Sequence, residues 1–143
     1  MIPKLSNCEF FELMWKKLGS VLDLVIFMTT IINKEGETVA FLYLNVILDI
    51  NQQNVLGIIL GNCVYGVPNK PIGKYFHDVF RKKNGKIIGK LGKKITSKKP
   101  DSEAEILFTA WKKLSKLDDH VCPWIEEKEG WTKELFVDFL AEK

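Results

Sequence analysis

The chain has 143 residues, 46% of them hydrophobic and 27% charged, with 21 Lys and Arg against 18 Asp and Glu for a formal net charge of +3. A single domain of this size can bury a core without disulfide stapling. No apolar run approaches the about twenty residues of a spanning helix, so a membrane span is excluded.

The three cysteines, Cys8, Cys63 and Cys122, are odd in number, widely spaced and form no Cys-x-x-Cys pair. That pattern predicts a reduced, cytoplasmic setting, with Cys63 a buried thiol acting as a small hydrophobe. Residues 1–20 make a poor signal peptide, because Glu9 and Glu12 interrupt the apolar stretch. Residues 7–18 instead read as an amphipathic helix, with Phe10, Phe11, Met14, Trp15 and Leu18 opposite Glu12, Lys16 and Lys17. Gly19-Ser20 ends it. Residues 24–32 are β-rich and read as the outer strand of a degenerate first repeat unit.

The repeat itself has a period of sixteen residues, marked by Gly57, Gly73 and Gly89, with Phe41 one period earlier. Its units are 31–45, 47–61, 63–77 and 79–91. In each, a short apolar strand such as Ile47-Leu48 precedes a turn-forming stretch, and a second strand such as Val55-Leu56-Gly57 follows. The stretches are 33–37, 49–54, 65–70 and 81–86, and the last holds Asn84-Gly85, a strong hairpin signal because both central residues of a type I′ turn need positive φ. Asn45-Val46, Gly61-Asn62 and His77-Asp78 are the predicted two-residue returns. Glycine inside a strand weakens it, so a column of three predicts close approach of backbone or of a covering aromatic, with bulges as the competing explanation. Phe41 is then expected to point into the space around the repeat axis.

Tandem hairpins with a turn followed by an apolar-apolar-Gly step, as in Lys83-Asn84-Gly85-Lys86-Ile87-Ile88-Gly89-Lys90, resemble the bacterial 4-fold beta flower domain. The resemblance covers residues 31–92. It implies four hairpins about a pseudo-fourfold axis and no established catalytic activity. The chain departs from the pattern at Phe41, where Gly is expected, and at Pro71, where the other units carry Val or Ile.

Beyond the repeat, Ser102-Glu103-Ala104-Glu105 is a capping box for a helix running to about residue 116. Leu107, Phe108, Trp111 and Leu114 form its predicted apolar stripe, and Lys112, Lys113 and Lys116 near its end suit the macrodipole. After a turn region at 118–130, Thr132 is expected to cap a last helix. Trp131 would staple it against Phe136, while Leu135, Phe136, Phe139 and Leu140 pack inward.

The predicted fold class is α+β: about eight short antiparallel strands in sixteen-residue hairpin repeats with a pseudo-fourfold arrangement, flanked by one N-terminal and two C-terminal helices. It forms one domain, 1–143, divided into a helix (1–22), a hairpin body (23–95) and a helical segment (101–143).

Three chemistries compete for the function. Segment 81–99 holds nine Lys or Arg and no acid, so Arg81, Lys82, Lys83, Lys86, Lys90, Lys93 and Lys94 are candidates for binding nucleic acid or another anionic surface. A single Arg and no interleaved aromatic residue leave base reading and stacking without an instrument, so a solvated, lysine-rich sheet edge ranks ahead of it. Asp118-Asp119-His120-Val121-Cys122 and His77-Asp78 hold metal-ligand types, but neither supplies the three or four ligands of a zinc site, so a hydrolase or metal site ranks third. No catalytic, cofactor or metal residues are assigned. The first-ranked reading is a non-catalytic protein-interaction or adaptor module, self-associating or with a protein partner, using tips such as 51–54 and 67–70 on a rigid body.

Overall fold

A computed structural model describes residues 25–98, 103–117 and 122–141. The predicted helix at 7–18, Ser102 of the capping box and the Asp118, Asp119 and His120 cluster lie outside the described residues.

Eight strands follow one another: β1 (Val25–Ile32), β2 (Thr38–Tyr43), β3 (Val46–Leu48), β4 (Val55–Leu60), β5 (Cys63–Tyr65), β6 (Pro71–Phe76), β7 (Val79–Lys82) and β8 (Ile87–Lys98). Each pairs antiparallel with the next, and β8 returns to β1 from Val25↔Lys98 to Ile32↔Lys90, closing the sheet into a barrel. The lysine-rich segment is therefore a sheet edge only in its second half. β8 has a partner on both sides from Ile87 to Lys90, but beyond that it pairs with β1 alone, so the stretch carrying Lys93 and Lys94 has no neighbouring strand on its other side.

The hairpins share one local design. The pairs Ile31↔Ala40, Ile47↔Gly57, Val64↔Gly73 and Phe80↔Gly89 each stand beside a register shift, after which Ile32↔Thr38, Leu48↔Val55, Tyr65↔Pro71 and Arg81↔Ile87 close the strands. A bulge and a small residue thus occur together in every hairpin, because the extra residue bends the strand toward its neighbour. Ala40, and not Phe41, holds the pairing position of the three glycines. The turn at 49–54 has six residues where 33–37, 66–70 and 82–86 have five, so counting back sixteen from Gly57 lands one residue late.

On the opposite rim the returns are tight. Leu44 and Asn45 have φ of 51° and 67°, and His77 and Asp78 have 51° and 64°, the two consecutive positive values of a type I′ turn. The first return is thus Leu44-Asn45 and not Asn45-Val46. Leucine in the left-handed region carries no sequence signal, whereas Asn, Asp and His tolerate it better. The carbonyls of Asn45, Asn62 and Asp78 accept the N–H groups of Ile59, Tyr75 and Leu91, all at 2.9 Å, tying each return to the strand beyond.

Alternation along the strands sorts side chains into two cores. Ile31, Ala40, Ile47, Val64, Phe80 and Ile88 come from strands all round the barrel yet share one cluster, which is possible only inside it. The short helix α2 (Phe136–Ala141) joins that cluster through Phe136, Phe139 and Leu140. It fills the mouth at the long-turn rim, where the Val67 N–H donates to the Leu140 carbonyl at 2.8 Å. Outside the barrel, Met28, Phe41, Tyr43, Leu48, Ile58 and Tyr65 pack beneath helix α1 (Glu103–Ser115). Phe41 therefore faces α1, and the aromatic groups at the glycine column are Phe136 and Phe139 from the C-terminal segment.

α1 buries Ile106, Leu107, Ala110 and Leu114, whereas Phe108 is 60% exposed and Trp111 half-buried. The buried face thus keeps Leu107 and Leu114 of the predicted stripe but takes Ile106 and Ala110 in place of Phe108, and at its start the buried Glu103 carboxylate accepts a hydrogen bond from the Tyr43 hydroxyl. α2 also begins later than Thr132 suggests. The Ile87 N–H donates to Gly130 O at 3.0 Å and the Thr132 N–H donates to Ile87 O at 2.9 Å, so residues 130–132 are pinned as an extended strap before any helix can start. Leu135 consequently faces solvent.

Cys63 and Cys122 are joined by a disulfide, their Cα atoms 5.3 Å apart. This corrects the reading of Cys63 as a free buried thiol, and with it the cysteine argument for a reduced compartment. No helix among the described residues is long and apolar enough to cross a membrane.

Candidate functional site

The long-turn rim gathers the features that could receive a ligand, and its turns are rigid for reasons written in their first residues. Asn33 accepts the N–H groups of Glu35 and Glu37 on its side-chain oxygen at 3.0 and 2.9 Å, and Gly36 supplies the positive φ. Asp49 does the same work in the longer turn, accepting from Gln53 N–H (2.9 Å), Asn54 N–H (3.2 Å) and the Asn54 carboxamide (2.8 Å). Side chains that satisfy the backbone of their own turn fix its shape.

Partial burial pushes the Asp49 carboxyl up, but the bonds from Gln53 and Asn54 outweigh it and hold the group below its ordinary 3.8. The contribution to turn order is complete above pH 3.8 and is lost as the pH falls through the lower folded-state value. The protection of the Gln53 and Asn54 amides, measured by NMR as exchange relative to the intrinsic rate at each pH, should fall over that acid window. An Asp49→Asn variant, which keeps an acceptor but does not titrate, should show no such step.

Between these two turns and the C-terminal strap lies a cleft of about 610 Å³. Val39, Ile88, Trp131 and Phe136 line it, and Ile50, Leu135 and Val137 stand at its lip with exposures of 53%, 66% and 45%. Lys34, Glu35, Lys133 and Glu134 add charges of both signs. Scattered exposed apolar residues are ordinary; three converging on one half-enclosed cleft are not.

The strap that forms one wall is held by the basic residues first considered for anions. The Arg81 guanidinium donates to the carbonyls of Gly85 (2.8 Å) and Lys128 (2.6 Å), and Lys82 pairs with Glu134 at 2.5 Å. Lys74 pairs with Glu127 at 3.2 Å, and the Lys90 ammonium lies 5.7 Å from the centre of the Trp131 ring. Lys83 and Lys86 stand at the 82–86 turn, while Lys93 and Lys94 lie far along β8, where Lys94 pairs with Thr29 and the Lys93 N–H donates to the Thr30 hydroxyl at 2.8 Å. About 25 Å of strand separates Lys86 from Lys94. The seven predicted anion-binding residues are therefore divided between strap clamps and two distant groups.

His77 and Asp78 form a return, in which the Tyr75 hydroxyl donates to Asp78 at 3.2 Å. Burial, then the Asp78 charge and its hydrogen bond, push the Tyr75 phenol up to about 12. Among the described residues no group of three or more His, Cys, Asp or Glu side chains could hold a metal ion. The sequence pointed to the turn tips, but Leu135 was assigned to inward packing and Val137 was not singled out. No protein-family model, curated protein or solved structure matches the chain.

Proposed function

We propose that the protein is a non-catalytic interaction module, with a hairpin body of the 4-fold beta flower kind, that takes an apolar stretch of a partner polypeptide in the cleft at the long-turn rim. The observation that carries this reading is the convergence of exposed Ile50, Leu135 and Val137 on a 610 Å³ cleft. Its walls are stiff, one braced by the Asp49 turn and the other clamped by Arg81 and Lys82. A rigid apolar lip loses little entropy on binding, and mixed charges around it favour a polypeptide over a uniformly charged ligand. Binding of nucleic acid through segment 81–99 ranks second, since two of its strongest candidates already hold the strap.

The test is selection of peptides from a random displayed library on the immobilised protein. Apolar peptides should be enriched, and the double variant Ile50→Asp/Leu135→Asp should weaken them at least tenfold, about 1.4 kcal/mol. Both positions are exposed, so the variant keeps its fold. Peptides that bind the double variant as well as the wild type would place the site elsewhere.

A further inference from the structure

On the other side of the strap the same rim holds a second cavity of different character. It has a volume of about 530 Å³ between the turns 66–70 and 82–86. Pro68, Pro71 and Ile72 supply an apolar floor. Lys70, Lys82, Lys83 and Asn84 supply the polar lining, which contains three cations and, among the described residues, no acid. We propose that this cavity binds a small organic anion, one whose compact apolar or aromatic body carries a phosphate or carboxylate.

The charge is placed and not merely dense. Lys83 and Lys70 project from facing turns and are exposed, while Lys82 is half-buried and oriented by Glu134 at 2.5 Å. The Asn84 side-chain oxygen accepts the Lys86 N–H at 2.9 Å, which fixes this lining residue in the 82–86 turn. The 66–70 rim is braced from behind by Lys113 of α1, whose ammonium donates to the carbonyls of Val67 and Pro68 at 3.0 and 3.2 Å. That cation is also partly desolvated, and burial pushes its pKa down. Concave sites lined by one sign of charge concentrate the field, so two exposed ammonium groups across such a cavity attract an anion more strongly than the same groups on an open face.

Volume and floor decide the ligand class. Water occupies about 30 Å³ per molecule in the liquid, so the cavity has room for roughly eighteen waters. An inorganic anion would leave most of it wet and the proline and isoleucine floor uncovered. Filling that floor with an apolar body adds burial to the charge attraction. Lysine suits the head group because it acts as a point charge and imposes no bidentate geometry. The segment 81–99 reading placed Lys83 and Lys93 in one surface; the cavity separates them, taking Lys83 together with Lys70, which lies outside that segment.

Titration with phenyl phosphate, inorganic phosphate and phenol, followed by amide shifts and calorimetry, tests this. Phenyl phosphate should saturate one site, with shifts at Ile72, Lys83 and Asn84. It should bind at least ~10-fold tighter than inorganic phosphate, while phenol should not saturate. Lys70→Glu and Lys83→Glu should each weaken it about tenfold with an unchanged melting temperature, and Lys93→Glu should leave it unaltered. Absence of saturation by phenyl phosphate up to about 10 mM would overturn the proposal. So would equal affinity for inorganic phosphate, or a loss in Lys93→Glu as large as that in Lys83→Glu, which marks diffuse attraction to a basic surface. Because Ile50 and Leu135 lie outside this cavity, failure here and failure of the peptide-binding reading are separately visible.

Discussion

Gly73→Val is expected to unfold the barrel under conditions where the wild type is fully folded. A Cβ at residue 73 would collide with the carbonyl oxygen of Arg81 and lie 2.7 Å from Cζ of Phe139. The first obstacle is backbone held in the β6·β7 ladder, where Gly73 pairs with Lys82. It cannot yield without breaking that pairing, and a branched side chain adds two methyl groups to the clash. Overpacking usually costs 1–3 kcal/mol where side chains can move, and here more than ~3 kcal/mol is expected. Gly89 provides the comparison. Its added Cβ would meet only side chains, Phe136 at 3.1 Å and Ile31 at 3.3 Å, so Gly89→Ala should cost less than Gly73→Ala. Chemical denaturation of the three variants checks the order. Equal midpoints for Gly73→Val and wild type would show that the strands do not approach as described.

Phe139→Ala carries the second large effect. Phe139 is fully buried in the barrel mouth beside Phe136, the ring centroids 6.2 Å apart, and its ring lies over Gly73. Removing it leaves a cavity whose walls are strands closed into a ring, which collapse poorly. A loss of about 3–5 kcal/mol is expected. The exposed neighbour Leu135→Ala should change stability by no more than ~0.5 kcal/mol. Combining Gly73→Ala with Phe139→Ala should not restore stability, because deleting the ring relieves only one of the two clashes. A double variant as stable as Phe139→Ala alone would mean that the Arg81 carbonyl moves freely.

How much of this could be read from the chain depends on how local each feature is. The turn at Asn84-Gly85, the glycine column and the two helices after residue 100 follow from short-range chemistry, and the structure has strands, turns and helices there. The identity of the fourth small residue did not follow, because a single extra residue at 49–54 shifts the count and makes Phe41 stand where Ala40 belongs. Closure was also invisible. Whether β8 is an edge or a staple depends on its register with β1, which begins more than sixty residues earlier. The Cys63–Cys122 bond was hidden by an odd cysteine count, which points away from pairing when any two of three remain candidates. The cleft escaped for the most general reason: Ile50 and Leu135 belong to segments far apart in the chain, and their shared exposure arises only after the strap is pinned to Ile87.

The β1·β8 seam also bears on how the molecule folds. Seven of the eight strand pairings join neighbours in the chain, separated by turns of two to six residues, and such hairpins form on the microsecond scale. The remaining pairing must bring Val25 to Lys98, and its loop-closure cost is not repaid until many of its contacts form together. β8 is the longest strand, with twelve residues, and it supplies those contacts along its length from Lys98 to Lys90, with one register shift. The ring is therefore expected to be assembled as an open ladder of hairpins whose two ends meet last, and the length of β8 is what makes that final meeting cooperative.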